Sequence, residues 1–337
     1  AFKDFGACFM AQLMAYLIKD TDTHLHVLVA TSGDTGSAVG RGFWKIPNID
    51  VTILYPSGKV SEIQEKQLTT IGENVVALEV DGTFDDCQRL VKQAFLDEEL
   101  RNHVSITSAN SINIARLIPQ IFYYVYAYGR LKNRCERLVV SVPSGNFGNL
   151  TAGLIAHKMG IPIQHFVAAT NVNDIVPKYL QSGEFIPRPS LMTISNAMDV
   201  GDPSNFRRMV DICGEERSAM AEQIFGVSYD DEATKATIKD VFERYNYLLD
   251  PHSAIGMLGL EEYMKKGEKN TGEVGVFLGT AHPAKFLDIV NPLIEGEVEI
   301  PPQLHDVLLQ EKKSELMPND YVVFRKKIWD LKRSQKR

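Results

Sequence analysis

The 337-residue sequence holds only four cysteines, at positions 8, 87, 135 and 213, and no two form a CxxC pair. Thiols so far apart give no support to a zinc site or a redox dithiol, and they fit a reduced, cytoplasmic setting. No apolar run approaches the roughly 20 residues that a membrane helix needs, so a membrane role is not expected. The 36 lysines and arginines are dispersed among 43 acidic residues, for a net charge of -7. That balance argues against nucleic acid or an anionic membrane surface as a partner. No internal period indicates a solenoid or propeller. Both GxGxxG and GxxxxGK[ST] are missing, which removes the P-loop reading and leaves a dinucleotide site weakly supported. An initiating methionine is also missing, and the chain opens at Ala1 already inside a motif. We therefore expect a segment upstream of Ala1, and any targeting peptide would lie there.

What is present describes a globular α/β protein. Hydrophobic residues make up 44% and charged residues 23% of the chain, an ordinary globular balance, and its length points to two domains. Short β-branched runs alternate with helical stretches, which predicts mainly parallel sheets flanked by helices. The expected strands are 26–30, 50–55, 74–80, 137–143 and 273–279, with helices near 36–44, 61–70, 84–98, 113–128 and 148–158. The charged stretch around Asn133–Arg134 is the expected crossing between domains. The Pro-, Ser- and Asp-rich region 183–235 is expected to be irregular with short helices. A polar helix near 303–314 and a solvated basic terminal helix, FRKKIWDLKRSQKR, are expected at the end.

Four segments pair turn chemistry with reactive side chains. VSVPSGNFGNLTAGL reads as strand, small-residue turn and helix, a geometry that points backbone N–H groups at one spot and suits a phosphate; a plain connecting turn reads the same way. HVLVATSGDTGSAVG repeats that logic, and its hydroxyls and N–H groups could hold a carboxylate or simply cap a helix. In ANSINIAR, Ser111, Asn113 and Arg116 offer a hydroxyl, an amide and a guanidinium to an anion, or read as a capped helix with a surface arginine. In AFKDFG, Lys3 lies among Phe2, Phe5, Phe9 and Met10, apolar surroundings of the kind that keep an amine reactive; on local sequence alone, a surface lysine at a frayed terminus reads the same way.

Together with FLGTAHPAKF, these segments resemble, in order and spacing, the threonine synthase family, from residue 1 to about 290. The SGDTG sequence resembles one branch of it in particular. The resemblance implies a fold type II, tryptophan synthase β-like enzyme that carries pyridoxal 5'-phosphate as a Schiff base on Lys3. It implies that Ser144, Gly145, Asn146, Phe147, Gly148 and Asn149 cup the cofactor phosphate, with Thr280 at the pyridine nitrogen. Thr31, Ser32, Gly33 and Thr35 would grip the substrate carboxylate. Asp34 stands where an asparagine commonly faces the cofactor's phenolic oxygen; an ionised aspartate only accepts hydrogen bonds, so either it is protonated or it faces another donor. Ser111, Asn113 and Arg116 would hold the substrate's own phosphate.

The implied activity is that of a carbon–oxygen lyase acting on phosphate, turning O-phospho-L-homoserine and water into L-threonine and phosphate. A phospholyase that stops at a 2-oxo acid, or an inactive fragment serving as a binding module, are the alternatives. The expected domains are 1–20 plus 135–337, binding the cofactor, and 21–134, closing over the substrate. The oligomeric state is left between monomer and homodimer, and no metal is expected.

Three features are read as structural. Asp250-Pro251 is a helix start signal, and His252 is expected to be a satisfied histidine. The acidic pairs Asp85-Asp86, Glu98-Glu99 and Asp230-Asp231 do not share helix faces, so paired acid–base chemistry is not implied. His282 and Lys285 are expected to serve packing.

Overall fold

The computed structural model describes residues 1–214, 216–266 and 272–334. Among these are nine strands: β1 (Leu25–Ala30), β2 (Ile49–Pro56), β3 (Val75–Asp81), β4 (Ser105–Ser108), β5 (Arg137–Pro143), β6 (Ile163–Thr170), β7 (Ile224–Ser228), β8 (Glu273–Phe277) and β9 (Ser314–Pro318). The chain divides into two compact units. One is Lys3–Arg116 with the chain from Ile300 onward; the other is Leu117–Glu299 with Phe2.

The first unit is built on a parallel sheet in the order β4-β1-β2-β3-β9. Its central strands are mostly apolar, as expected of strands covered on both faces, although His26 and Thr52 are buried within them. Alternate residues serve opposite faces. Val27 and Val29 pack with Met10, Phe43 and Ile53 on one side. Leu28 and Ala30 pack with Leu54, Leu90, Phe324 and Ile328 on the other. Helices Asp34–Phe43, Glu62–Thr69 and Phe84–Leu96 form the crossovers. The acidic pairs sit where helices begin: Asp86 closes a capping box with Thr83, Glu98 and Glu99 open the helix Glu98–His103, and Asp230 caps Asp231–Tyr245. Carboxylates there offset the positive end of the helix dipole.

The second unit holds a parallel sheet in the order β7-β6-β5-β8. β5 is central, and Leu138, Val140 and Val142 face a core with Leu150, Leu154 and Phe166. Val139 faces the other way, toward Val167 and Ile255.

The chain divides after Arg116 and Glu299, not at 20 and 134 as expected. Three packing facts explain the difference. The opening helix Phe2–Ile18 buries Ala7, Met10 and Ala11 in the first unit's core. The helix Ile121–Leu131 joins the second unit through Ile121 and Tyr124. The C-terminal stretch returns to the first unit as β9, paired with β3. Asn133–Arg134 is accordingly a turn inside the second unit. Phe5 and Phe9 are 45% and 40% exposed, whereas Phe2 and Met10 are buried.

All five expected strands form, the last ending at Phe277 rather than Gly279. β4, β6, β7 and β9 were not anticipated: SITS and SELMP are too short and polar to show alternation, and β7 lies in the region expected to be irregular. The expected 113–128 helix is broken by a 3-10 turn, Ile118–Gln120, that carries Pro119, which cannot continue an α-helical hydrogen-bond ladder. The polar helix ends at Leu308, before β9. The terminal helix Tyr321–Ser334 is not a solvated one, since Phe324 and Ile328 are fully buried; residues 335–337 of the basic tail lie outside the described residues. Phe324→Ala should cost the first unit about 3–5 kcal/mol, the usual range for emptying a buried aromatic site. A urea unfolding curve followed by circular dichroism checks this, and an unchanged midpoint would show that the helix does not contribute to the core.

Candidate active site

In the first unit, the loop after β1 is built around Thr31. Its N–H donates to Leu54 O at 2.9 Å, extending the sheet. Its Oγ1 accepts from the N–H groups of Gly33 and Gly36, at 2.9 and 2.8 Å. Gly33 has φ +134°, a conformation that disfavours side chains, and a Cβ there would lie 2.7 Å from the Gln64 carboxamide. That carboxamide is fully buried and donates from Nε2 to Asp34 Oδ1 at 3.2 Å, while its Oε1 accepts from Ser61 Oγ at 3.1 Å. Asp34 Oδ1 therefore accepts from an amide 30 residues away in sequence. Gln64 escaped sequence reasoning because a polar helix of Glu, Gln and Lys carries no mark of which amide turns inward.

The loop after β4 is held by its own side chains. Asn113 Nδ2 donates to Ser108 O at 2.9 Å and its Oδ1 accepts from Ala115 N at 3.1 Å. The following helix, Ile114–Leu117, is a single turn. Arg116 is buried, 2% exposed, and donates from Nη1 to Ala109 O at 2.6 Å. The opening helix approaches it closely: a Cβ on Gly6 would meet Arg116 O at 2.8 Å. Burial pulls the guanidinium down to about 10, with Asp4 and Cys8 acting the other way. Arg116 is thus a cation at neutral pH in a place where charge is costly, and an anionic ligand would relieve that cost. Lys3 lies in the first turn of the opening helix.

In the second unit, the turn after β5 carries the phosphate-suited geometry. Ser144 N donates to Ala169 O at 2.8 Å, continuing the ladder. Phe147 adopts a left-handed φ of 59°, buries its ring, and precedes helix Gly148–Lys158 as an N-cap that supplies no side-chain bond. The first turn of a helix leaves its N–H groups without intrahelical partners, and such groups hold anions well. The asparagines serve the turn itself. Asn146 Oδ1 accepts from Ser204 N and Oγ, at 2.6 and 3.0 Å, and Asn149 Nδ2 donates to Pro143 O at 2.8 Å. A Cβ on Gly145 would lie 2.6 Å from Met198 Cα and 2.9 Å from Ala197 O. Leu150 N–H is taken by Asn149 Oδ1 at 3.0 Å, so a tight, small-residue cradle with the N–H groups of Gly148 and Asn149 at its helix start suits a pyridoxal phosphate monoester. Thr280 uses its backbone within the unit: its carbonyl accepts from Phe2 N at 3.0 Å, and its N–H donates to Ser253 Oγ at 3.4 Å. Phe2, the residue before Lys3, is further anchored by stacking on Tyr123 at 4.2 Å and by the Tyr123 hydroxyl, which donates to Phe2 O at 2.8 Å. His282 caps the turn Pro283–Phe286 and Lys285 is buried, in keeping with packing roles.

These turns at the carboxyl ends of buried parallel strands define the class. Residues 1–280 match the model of pyridoxal-phosphate dependent enzymes, and the fold is that of the fold type II members; maize serine racemase shares it at 16% identity with a TM-score of 0.60. Residues 253–328 match the C-terminal region of threonine synthase. The chain is 44% identical to threonine synthase from Escherichia coli over 97% of its length and 74% of that protein, and 37% identical to the Saccharomyces cerevisiae enzyme over 88% and 67%. The crystal structure of the E. coli enzyme superposes with a TM-score of 0.91, covering 98% of this chain and 76% of that one. A pyridoxal-phosphate-bound threonine synthase from Brucella melitensis gives 0.86 at 34% identity, covering 98% of this chain and 75% of that one. The chain belongs to the threonine synthase family. It is a lyase whose cofactor is pyridoxal phosphate.

One carboxyl beside the cradle titrates in an accessible range. Burial pushes Asp199 up to about 7, although Thr193 Oγ1 and Asn171 Nδ2 donate to it at 2.7 and 2.8 Å. An acid whose folded pKa is raised holds its proton more tightly folded than unfolded, so its contribution is complete below the ordinary carboxyl range and is lost as pH rises through about 7. Replacing Asp199 with Asn should flatten the fall in melting temperature between about pH 4 and 7. Parallel slopes for the two proteins would contradict this.

Proposed function

We propose that the chain converts O-phospho-L-homoserine and water to L-threonine and phosphate, as the cytoplasmic last step of threonine formation. What supports this reading is that each unit by itself carries a group suited to binding an anion. The second unit has the backbone cradle after β5, and the first has the buried cation Arg116, a few residues on from Ser111 and Asn113. An enzyme acting on a phosphorylated amino acid with a phosphorylated cofactor needs both.

Bound pyridoxal phosphate supplies an electron sink that acidifies the substrate protons at Cα and Cβ. Lys3 would hold the cofactor through its amine and would move protons at these two carbons of the substrate. The Ser144–Asn149 turn grips the cofactor phosphate through backbone N–H groups. With its backbone already engaged, Thr280 would offer its hydroxyl to the pyridine nitrogen of the bound cofactor. Thr31, Ser32, Gly33 and Thr35 orient the substrate carboxylate, and the bond from Gln64 fixes Asp34 as an acceptor beside them. Arg116, with Ser111, binds the phosphate that leaves from Cγ and stabilises its charge, while Asn113 keeps that loop in shape. Water then adds at Cβ.

Incubation with O-phospho-L-homoserine should release threonine and phosphate in equal amounts; a 2-oxo acid in place of threonine would make the chain a phospholyase. Lys3→Ala should abolish turnover, and borohydride reduction followed by peptide mapping should find the cofactor on Lys3 in the unaltered protein. Label on another lysine would overturn the assignment. Arg116→Ala should lower kcat/KM by on the order of 10²-fold or more with cofactor content unchanged, whereas Gly145→Val should empty the cofactor site. The reverse pattern would mean that the two anion sites have been exchanged.

A further inference from the structure

The helix Pro251–Lys266 begins with three polar side chains that the proposed reaction does not use. Asp250, His252 and Ser253 are 1%, 2% and 3% exposed. Asp250 Oδ1 accepts from His252 N at 2.9 Å and lies 2.8 Å from His252 Nδ1. Asp250 Oδ2 accepts from Ser253 Oγ. His252 Nε2 lies 3.2 Å from Ala197 N. A backbone N–H only donates, so Nε2 is an acceptor and the ring proton sits on Nδ1, donated to Asp250. Ser253, whose proton goes to Asp250, accepts the Thr280 N–H at 3.4 Å. Two chains of hydrogen bonds therefore converge on one carboxylate. One runs from Ala197 N–H through His252, and the other from Thr280 N–H through Ser253.

The far ends of these chains matter. Ala197 O and Met198 Cα form the wall against which Gly145 packs, 2.9 and 2.6 Å from where a Cβ would stand. Thr280 carries the hydroxyl assigned to the pyridine nitrogen. We infer that Asp250, His252 and Ser253 are positioning residues that hold the two ends of the cofactor site, the wall behind the phosphate cradle and the Thr280 backbone, in register from a single helix start. This rests on the turn after β5 being the phosphate cradle. A cap alone would need only the Asp250 carboxylate and the first N–H groups of the helix. The His252 ring and the Ser253 hydroxyl each bring in a second loop that a cap does not require.

The test uses His252→Ala, Ser253→Ala and Ser253→Thr in the whole chain, with pyridoxal phosphate titrated into stripped protein. Each alanine variant should weaken cofactor affinity by about 10-fold, the loss of one bond in a charge-linked set. Ser253→Ala should in addition shift the absorption band of bound cofactor, because Thr280 is released. Ser253→Thr keeps the hydroxyl and should restore both. Melting of the stripped proteins separates this from a general loss of stability. Alanine variants that melt lower but bind cofactor with unchanged affinity and spectrum would overturn the inference and leave only a capping role. Failure of the unaltered protein to bind pyridoxal phosphate would instead count against the cradle itself.

Discussion

A buried parallel strand that has to become a helix within six residues governs the second unit. β5 is hydrogen-bonded on both sides, so at Pro143 the chain must turn away without leaving backbone groups stranded in the core. Ser144 adds one more rung to β6, Phe147 reverses the chain in a left-handed conformation while its ring stays in the core, and Asn149 returns its amide to Pro143. With Asn146 and Asn149 spent on the turn, its shape is determined by the protein. Leu150 N–H donates to Asn149 Oδ1 at 3.0 Å, so those of Gly148 and Asn149 are the N–H groups at the helix start that suit a phosphate.

The first unit meets the same demand at the end of β1 with different means. Thr31 staples the turn with one hydroxyl, and Gly33 takes a conformation that lets the Gln64 carboxamide lie against it. The two units differ in how they carry charge. The cradle after β5 is assembled from neutral dipoles, whereas Arg116 is a full charge held away from water under the opening helix. Dipoles cost little to bury when their partners are in place, whereas burying a full charge costs more. At Arg116 that cost is partly offset by Asp4 on the opening helix.

Buried histidines in this chain show why polar side chains need their surroundings before a role can be assigned. His26 has its ring 2.8 Å from Thr52 Oγ1 inside the first sheet, and burial lowers it to about 4, so it is a neutral core residue. His252 is equally buried, yet it links a helix start to a separate loop. Nothing in the neighbouring letters separates the two.

Much of this protein was legible in the sequence because the informative patterns are local. The apolar runs at 26–30, 50–55 and 137–143 follow from strands covered on both faces, and the turns TSGDTG and SGNFGN are marked by residues that tolerate unusual backbone or leave room for a close approach. Family membership and cofactor were readable from those same turns. The tertiary structure decided whatever depends on residues distant in sequence. It placed SELMP at the edge of the first sheet, carried the opening helix and the terminal helix to that unit, buried Arg116, gave Asp34 its donor from Gln64, and joined His252 to Ala197. Short polar strands and single buried amides carry no periodicity of their own, and the free energy that fixes them comes from partners that only the folded chain brings within reach.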